Sequence, residues 1–180
     1  MAEEKKEPWL NYLAMTTVLF AVLATLSTFK GGNFSTRALL SQSQSSDQWA
    51  FYQAKSIKGY IKELQKDKYE TELKYSEQKL SGDGQRHYTE QLTSLTEKIQ
   101  KYEAEKADIM TEARRLELLR DDAQKHSKAF GMAVIFLQIA ILLGSISALM
   151  KKKPIWYLSM SVGAAGIVYF INGFLLLLPV

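Results

Sequence analysis

The chain has 180 residues, of which 47% are hydrophobic, and a formal net charge of +4. This small charge comes from lysines that alternate with acids and form no basic patch, which argues against a nucleic-acid role. The chain contains no cysteine, which excludes disulfides, thiolate chemistry and cysteine metal sites.

Three stretches are apolar and uncharged: residues 9–29, 129–150 and 154–180. At a rise of about 1.5 Å per residue, each is long enough to cross a hydrocarbon core about 30 Å thick. A soluble chain of this length has no core that could bury all three. The sequence therefore predicts an all-α membrane protein with three transmembrane helices.

The predicted segments follow from these stretches and from the charged region between them. They are a cytoplasmic tail 1–8, a transmembrane helix 9–29, a helical hairpin 30–128, a transmembrane helix 129–150, a loop 151–154 and a transmembrane helix 155–178. A cleaved signal peptide is the alternative for the first helix. Its apolar region would be too long for that interpretation, and no clean cleavage site follows it.

The sequence Lys-Gly-Gly-Asn at 30–33 follows the first predicted span. Because two glycines carry a high helix cost, it predicts a break, with Ser35 or Thr36 capping a new helix. A polar, uncharged run at 41–46 lies soon after. It is either a solvated or interfacial helix turn, or the lining of a pore or vestibule.

The strongest turn signal in the chain is Ser-Gly-Asp-Gly at 81–84. Gly82 suits a left-handed residue that ends one helix, and Asp83 suits the cap of the next. The turn predicts that two arms fold into an antiparallel hairpin. With no breaker before Met150, the second arm and the second span are predicted to form one helix from about Gln85.

A heptad pattern in the second arm predicts a coiled-coil seam, since apolar residues at two offsets place one stripe on one side of a helix. The residues of this predicted seam are Tyr88, Leu92, Leu95, Ile99, Tyr102, Ile109 and Leu116.

Small residues recur at every fourth position in the last two predicted spans, where they let helix backbones approach closely. These candidates for oligomer contacts or helix packing are Ala140, Gly144, Ala148, Ser159 and Gly163. Gln138 and Asn172 are the polar side chains of the same spans. Each is expected to find a partner across a helix interface, or to line a solute path.

Lysines outside the central region predict the orientation, because positive charge that flanks spans stays in the cytoplasm. Lys5 and Lys6 precede the first span, and three lysines at 151–153 separate the second and third. Three spans place both groups on one side. The hairpin and the carboxyl terminus are then predicted to be periplasmic.

Several short motifs carry a resemblance to a known family. They are Trp-Leu-Asn-Tyr at 9–12, Phe-Lys-Gly-Gly at 29–32, Ser-Gln-Ser-Gln at 41–44, Asp-Gln-Trp at 47–49 and Tyr-Gln-Ala-Lys-Ser-Ile-Lys at 52–58. With them the chain resembles a group of small bacterial membrane proteins catalogued as a domain of unknown function, the DUF4337 family. The resemblance implies a bacterial source and the same layout of spans and hairpin, and it supplies no catalytic or ligand residues.

No catalytic, cofactor or metal site is predicted. His87 and His126 lie at opposite ends of the second arm and are interpreted as unrelated surface residues. We expect a non-enzymatic protein of the bacterial inner membrane, a homo-oligomeric scaffold or spacer in contact with lipid and with a periplasmic or cell-envelope protein. The alternative is a channel or transporter component with a polar path near residues 41–46, Gln138 and Asn172.

Overall fold

The computed structural model describes residues 8–76 and 82–179. The described residues form three helices and no strand: α1 (Pro8–Ser76), α2 (Gly82–Met150) and α3 (Lys153–Leu175). The prediction of an all-helical chain is confirmed. Each of the three helices is long and apolar enough to cross a membrane, which indicates a membrane protein.

Helix α1 runs through residues 30–33 without interruption, so the predicted break there is wrong. Gly31 is present because α2 passes close to it. A Cβ added to Gly31 would lie 3.1 Å from the Cβ of Phe130, and the Ser127 hydroxyl donates a hydrogen bond to the Gly31 carbonyl oxygen at 3.1 Å. The absence of a side chain at Gly31 therefore permits the two helices to pack closely. This role cannot be inferred from the low helix propensity of glycine.

Helix α2 is continuous from Gly82 to Met150, which confirms the prediction of one helix through the second arm and the second span. Gly82 lies in this helix, and no described glycine has a positive φ, so the predicted left-handed role of Gly82 is wrong. Asp83 places a negative charge in the first turn, where it favours the helix dipole. Residues 77–81, which include Ser81, lie outside the described residues.

A short connection joins α2 to α3. Lys151 has a left-handed backbone with φ 50°, and the Ser147 hydroxyl donates to the Lys152 carbonyl oxygen at 2.9 Å. Pro154 occupies the first turn of α3, where its missing N–H costs nothing. Helix α3 ends at Leu175, before the end of the predicted span 155–178, because Leu176 adopts a left-handed conformation.

The chain divides into two compact units. One consists of Met1–Leu40 and Leu119–Val180, of which residues 8–40 and 119–179 are described; we call it the three-helix unit. The other is Ser41–Leu118 and holds the remaining parts of α1 and α2; we call it the two-helix unit.

The core of the three-helix unit combines a few large side chains with small ones. Phe20 and Leu137 are buried there together with three alanines. Phe130 is also fully buried, and its ring contacts those of Phe34, Phe170 and Phe174. Large side chains thus fill the space that the small residues open between the helices.

Candidate functional site

The predicted small-residue positions of α2 and α3 pack inside the three-helix unit. The Ser159 hydroxyl donates to the buried Ala140 carbonyl oxygen at 2.7 Å. There is no space for a side chain at Gly144, since an added Cβ would lie 2.9 Å from the Thr17 hydroxyl oxygen.

Gly163 belongs to the same packing, because a Cβ added there would collide with the ring of Phe20. Ala148 is half-buried. Four of the five candidates are thus buried within the chain, and none of those four faces outward.

Asn172 is buried and holds the turn after α3 in place. Its side-chain oxygen accepts a hydrogen bond from the Leu178 backbone N–H at 2.7 Å, and its side-chain amide donates to the Leu178 carbonyl oxygen at 3.2 Å. The Leu176 N–H also donates to the Asn172 carbonyl oxygen, at 2.8 Å. The partner of Asn172 is therefore the turn that ends α3, and not a neighbouring helix.

Gln138 differs from Asn172, because its side chain is exposed on the outer surface of α2. No other described residue forms a hydrogen bond with its side-chain amide. The two polar residues therefore have opposite environments: Asn172 is buried within the chain and Gln138 is exposed.

His126 is half-buried in the three-helix unit, whereas the sequence predicts a surface residue. Its ring stacks on Phe34 with centroids 4.5 Å apart. Its Nδ1 lies 2.8 Å from the Gly173 carbonyl oxygen. A carbonyl oxygen can only accept, so Nδ1 carries the proton in this contact. His87 is exposed, as predicted.

In the two-helix unit, the predicted seam of α2 faces α1. Leu95, Ile109 and Leu116 are buried there. The remaining members of the seam are half-buried: Tyr88, Leu92, Ile99 and Tyr102.

Contacts between α1 and α2 follow opposite order along the two helices. Ser45 contacts Ala113, Lys55 contacts Glu105, and the ring of Tyr69 meets that of Tyr88. Later residues of α1 therefore meet earlier residues of α2.

The side of α1 that meets α2 is polar, in contrast to the seam of α2. Ser41 and Ser45 are buried, and the Ser45 hydroxyl donates to the Ala113 carbonyl oxygen at 3.3 Å. The Trp49 indole N–H donates to a Glu117 carboxylate oxygen at 2.8 Å. The polar run 41–46 thus lies in a helix, with two of its serines turned into the contact.

A group of charges and aromatic rings continues this contact. Lys55 forms an ion pair with Glu105 and lies 5.3 Å from the centroid of the Tyr102 ring. The hydrogen bond from Lys55 holds the pKa of the Glu105 carboxyl below its ordinary value. Lys106 lies 5.6 Å from the centroid of the Tyr52 ring, and its hydrogen bond to Glu103 raises the pKa of its ammonium group.

Sequence reasoning missed this contact face because it followed apolar residues alone. Every seventh residue after Phe20 is turned toward the other helices, a spacing that becomes visible only once the burial of Phe20 is known. These residues are Ser27, Phe34, Ser41, Gln48 and Lys55, all buried or half-buried.

A group of aliphatic residues of α1 in the two-helix unit lies on its exposed side. Ala54, Ile57, Ile61 and Leu64 follow the three-and-four spacing of a second heptad seam. The exposed fractions are 59% for Ile57, 48% for Ile61 and 69% for Leu64. We call these four residues the outer stripe; the exposed rings of Phe51 and Tyr60 flank it.

Helix α2 shows no such stripe in this unit. Among its described residues from Gly82 to Leu118, Leu118 is the one large hydrophobic side chain with high exposure. Within residues 8–76 and 82–179, no group of three or more histidines and acids is placed to hold a metal ion.

Comparison with known proteins gives one match. The sequence model of a protein family, described as "Domain of unknown function (DUF4337)", matches residues 9–176. No curated protein and no solved structure matches the chain.

Proposed function

The chain belongs to the DUF4337 family, and from this premise we propose that it is a homo-oligomeric membrane scaffold or spacer. Three transmembrane helices anchor it in a bacterial inner membrane. The arms of α1 and α2 form an antiparallel helical hairpin with a coiled-coil seam outside the bilayer. In this proposal the protein is not an enzyme, its main partners are lipid and further copies of itself, and a periplasmic or cell-envelope protein is a further partner.

The outer stripe of α1 carries this proposal. Apolar residues at heptad spacing specify a seam for another helix, and the seam toward α2 is made by other residues of α1. An exposed, continuous apolar face is typical of an interaction site. The polar outer side of α2 in the same unit shows that exposed apolar residues are not a general property of this surface.

The size of the stripe suits contact between two copies. An aromatic side chain buries about 150–250 Å² when it is fully covered, and aliphatic side chains bury less. Since half to two-thirds of each flanking ring and each large stripe residue is exposed, two facing stripes would bury on the order of 1,000 Å², which is near the lower limit for a biological interface.

Charges are compatible with this pairing. In a parallel pair of stripes, Lys58 of one copy faces Gln53 of the other, so no like charges oppose each other at this flank. Asp47 and Lys68 interrupt the apolar positions before Ala54 and after Leu64. They limit the seam to the segment between them.

Substitution within the stripe tests the proposal. Ile61→Asp should weaken self-association of the full-length protein at least about tenfold, because a desolvated carboxylate costs far more than the 1.4 kcal/mol that a tenfold change represents. Association is measured by single-molecule photobleaching in lipid vesicles over a range of protein densities.

Thr93→Asp is the matched control, since Thr93 is exposed on α2 and bonds to its own helix. It should associate like the unaltered protein. A strictly monomeric unaltered protein would overturn the scaffold function. If both variants associate equally, the outer stripe is not the surface through which the copies associate.

The alternative function, a channel or transporter component, would use residues 41–46, Gln138 and Asn172 as a polar path. Their contacts favour the scaffold. Ser45 bonds across to α2 and Asn172 bonds to the turn after α3, while Gln138 points away from the other two helices of its unit. Ser45 and Asn172 are therefore already bonded within the chain, and the exposed Gln138 lines no path between the helices of its own unit.

The proposed orientation places the amino terminus and Lys151 in the cytoplasm, and the hairpin and carboxyl terminus in the periplasm. A reporter that is active only in the periplasm should be active when it is fused after Gly84. The same reporter inserted after Lys152 should be silent, and the reverse pattern would invert the orientation.

A further inference from the structure

A second exposed stripe lies on α2 within the three-helix unit and contains a row of small or polar residues. Gly131, Gln138 and Ser145 recur at every seventh residue, and all three are exposed. Exposed apolar residues occupy the positions between and after them: Ile135, Leu142 and Leu149. This spacing is again that of a seam for another helix. The face is directed away from the contacts that α2 makes with α1 and α3.

Gln138 is the residue of this stripe that lacks a partner. The Ser145 hydroxyl donates to the Ile141 carbonyl oxygen of its own helix at 2.9 Å, so it is satisfied without a neighbour. The Gln138 amide has no such bond among the described residues. Gln138 lies near the middle of the apolar segment 129–150, where an unbonded amide in hydrocarbon costs several kcal/mol.

We propose that Gln138 forms a hydrogen-bonded pair with Gln138 of a second copy of this chain, across a parallel contact between two α2 helices. A side-chain amide carries both a donor and an acceptor, so two identical amides satisfy each other. When two parallel helices are related by a two-fold axis along the membrane normal, residues next to that axis lie opposite their own counterparts. This inference rests on the proposed self-association and adds a membrane-embedded contact to it.

Gly131 and Ser145 make that approach possible. A Cβ on Gly131 would meet nothing within 4 Å in its own chain, so the missing side chain is not used for packing inside the unit. Small residues on both sides of a polar one let two backbones come close enough for the polar pair to bond. Lipid cannot act as this partner, because acyl chains neither donate nor accept hydrogen bonds.

Removal of the amide tests the pair. Gln138→Leu should weaken association of the full-length protein in lipid vesicles on the order of 3- to 30-fold, the range known for polar contacts between membrane helices. Gln138→Asn keeps the amide and should retain part of the affinity. Ser161→Ala is the control, since Ser161 is exposed on α3 and its hydroxyl bonds to Tyr157 of its own helix; it should leave association unchanged.

Single cysteines locate the contact, because the chain has none of its own. Ser145→Cys should form an intermolecular disulfide on mild oxidation in the membrane, and Ser161→Cys should not. Unchanged association of Gln138→Leu, or labelling of Ser145→Cys by a membrane-impermeant thiol reagent, would overturn the inference. The scaffold function would survive that result if Ile61→Asp still weakened association, whereas a monomeric unaltered protein would end both proposals.

Discussion

The two arms of the two-helix unit have opposite distributions of polar and apolar residues. Helix α1 turns Ser41 and Ser45 toward its partner and leaves Ile57 and Leu64 outside. Helix α2 buries apolar residues such as Leu95 and leaves a polar outer side. The difference shows that apolar periodicity predicts a contact face on a helix but does not identify the helix that packs against it. In α2 the pattern describes the intramolecular seam, and in α1 it describes a different surface.

The largest expected effect separates these two kinds of apolar residue. Leu95→Ala removes a buried side chain and should lower the free energy of unfolding by about 2–5 kcal/mol. Leu64→Ala removes a leucine that is 69% exposed and should change it by no more than about 0.5 kcal/mol. Both are measured as denaturant unfolding of the full-length protein in mild detergent, followed by circular dichroism, at a concentration where the protein is monomeric.

A large loss of stability from Leu64→Ala in the monomer would contradict the comparison. It would mean that the outer stripe contributes to the fold of the single chain, and its role in association would then need other support. A small effect of Leu95→Ala would instead show that the seam of α2 is assigned to the wrong residues.

A smaller effect distinguishes two neighbouring glycines of α1. Gly31→Ala places a methyl group 3.1 Å from Phe130 and should cost about 1–3 kcal/mol of unfolding free energy through overpacking. Gly32→Ala enters open space in a continuous helix and should stabilise the chain by about 0.5–1 kcal/mol. The same unfolding measurement applies to both variants. Stabilisation by both would show that α1 and α2 do not approach closely at Gly31.

The sequence predicts the helices better than their contacts. Uncharged length and heptad spacing are local properties, and they predict the three apolar spans and the unbroken α2. The family could also be identified from short motifs. The role of Gly31 could not, because a glycine that breaks a helix and one that admits a neighbouring helix look alike without the neighbour.

The candidate site was less predictable for a related physical reason. Ser45 and Asn172 are polar residues whose hydrogen-bond partners lie elsewhere in the chain or in a turn. Composition alone indicates that burying each of these polar side chains costs free energy. It does not show which hydrogen bond offsets that cost. The sequence singles out Gln138 and the small residues as candidates, but only the contacts show that Gly144 and Gly163 pack within the chain while Gln138 is exposed.

The three hydrogen bonds between Asn172 and the turn after α3 have a consequence for the thickness of the bilayer that this protein suits. By ending α3 at Leu175, they limit its uncharged part, residues 155–175, to about 32 Å at the standard rise. Continuation through Leu178 would add about 4.5 Å of apolar helix. A bilayer with a core of about 30 Å would then have to thicken or force α3 to tilt further. These hydrogen bonds thus keep the apolar length of α3 close to the thickness of an ordinary hydrocarbon core.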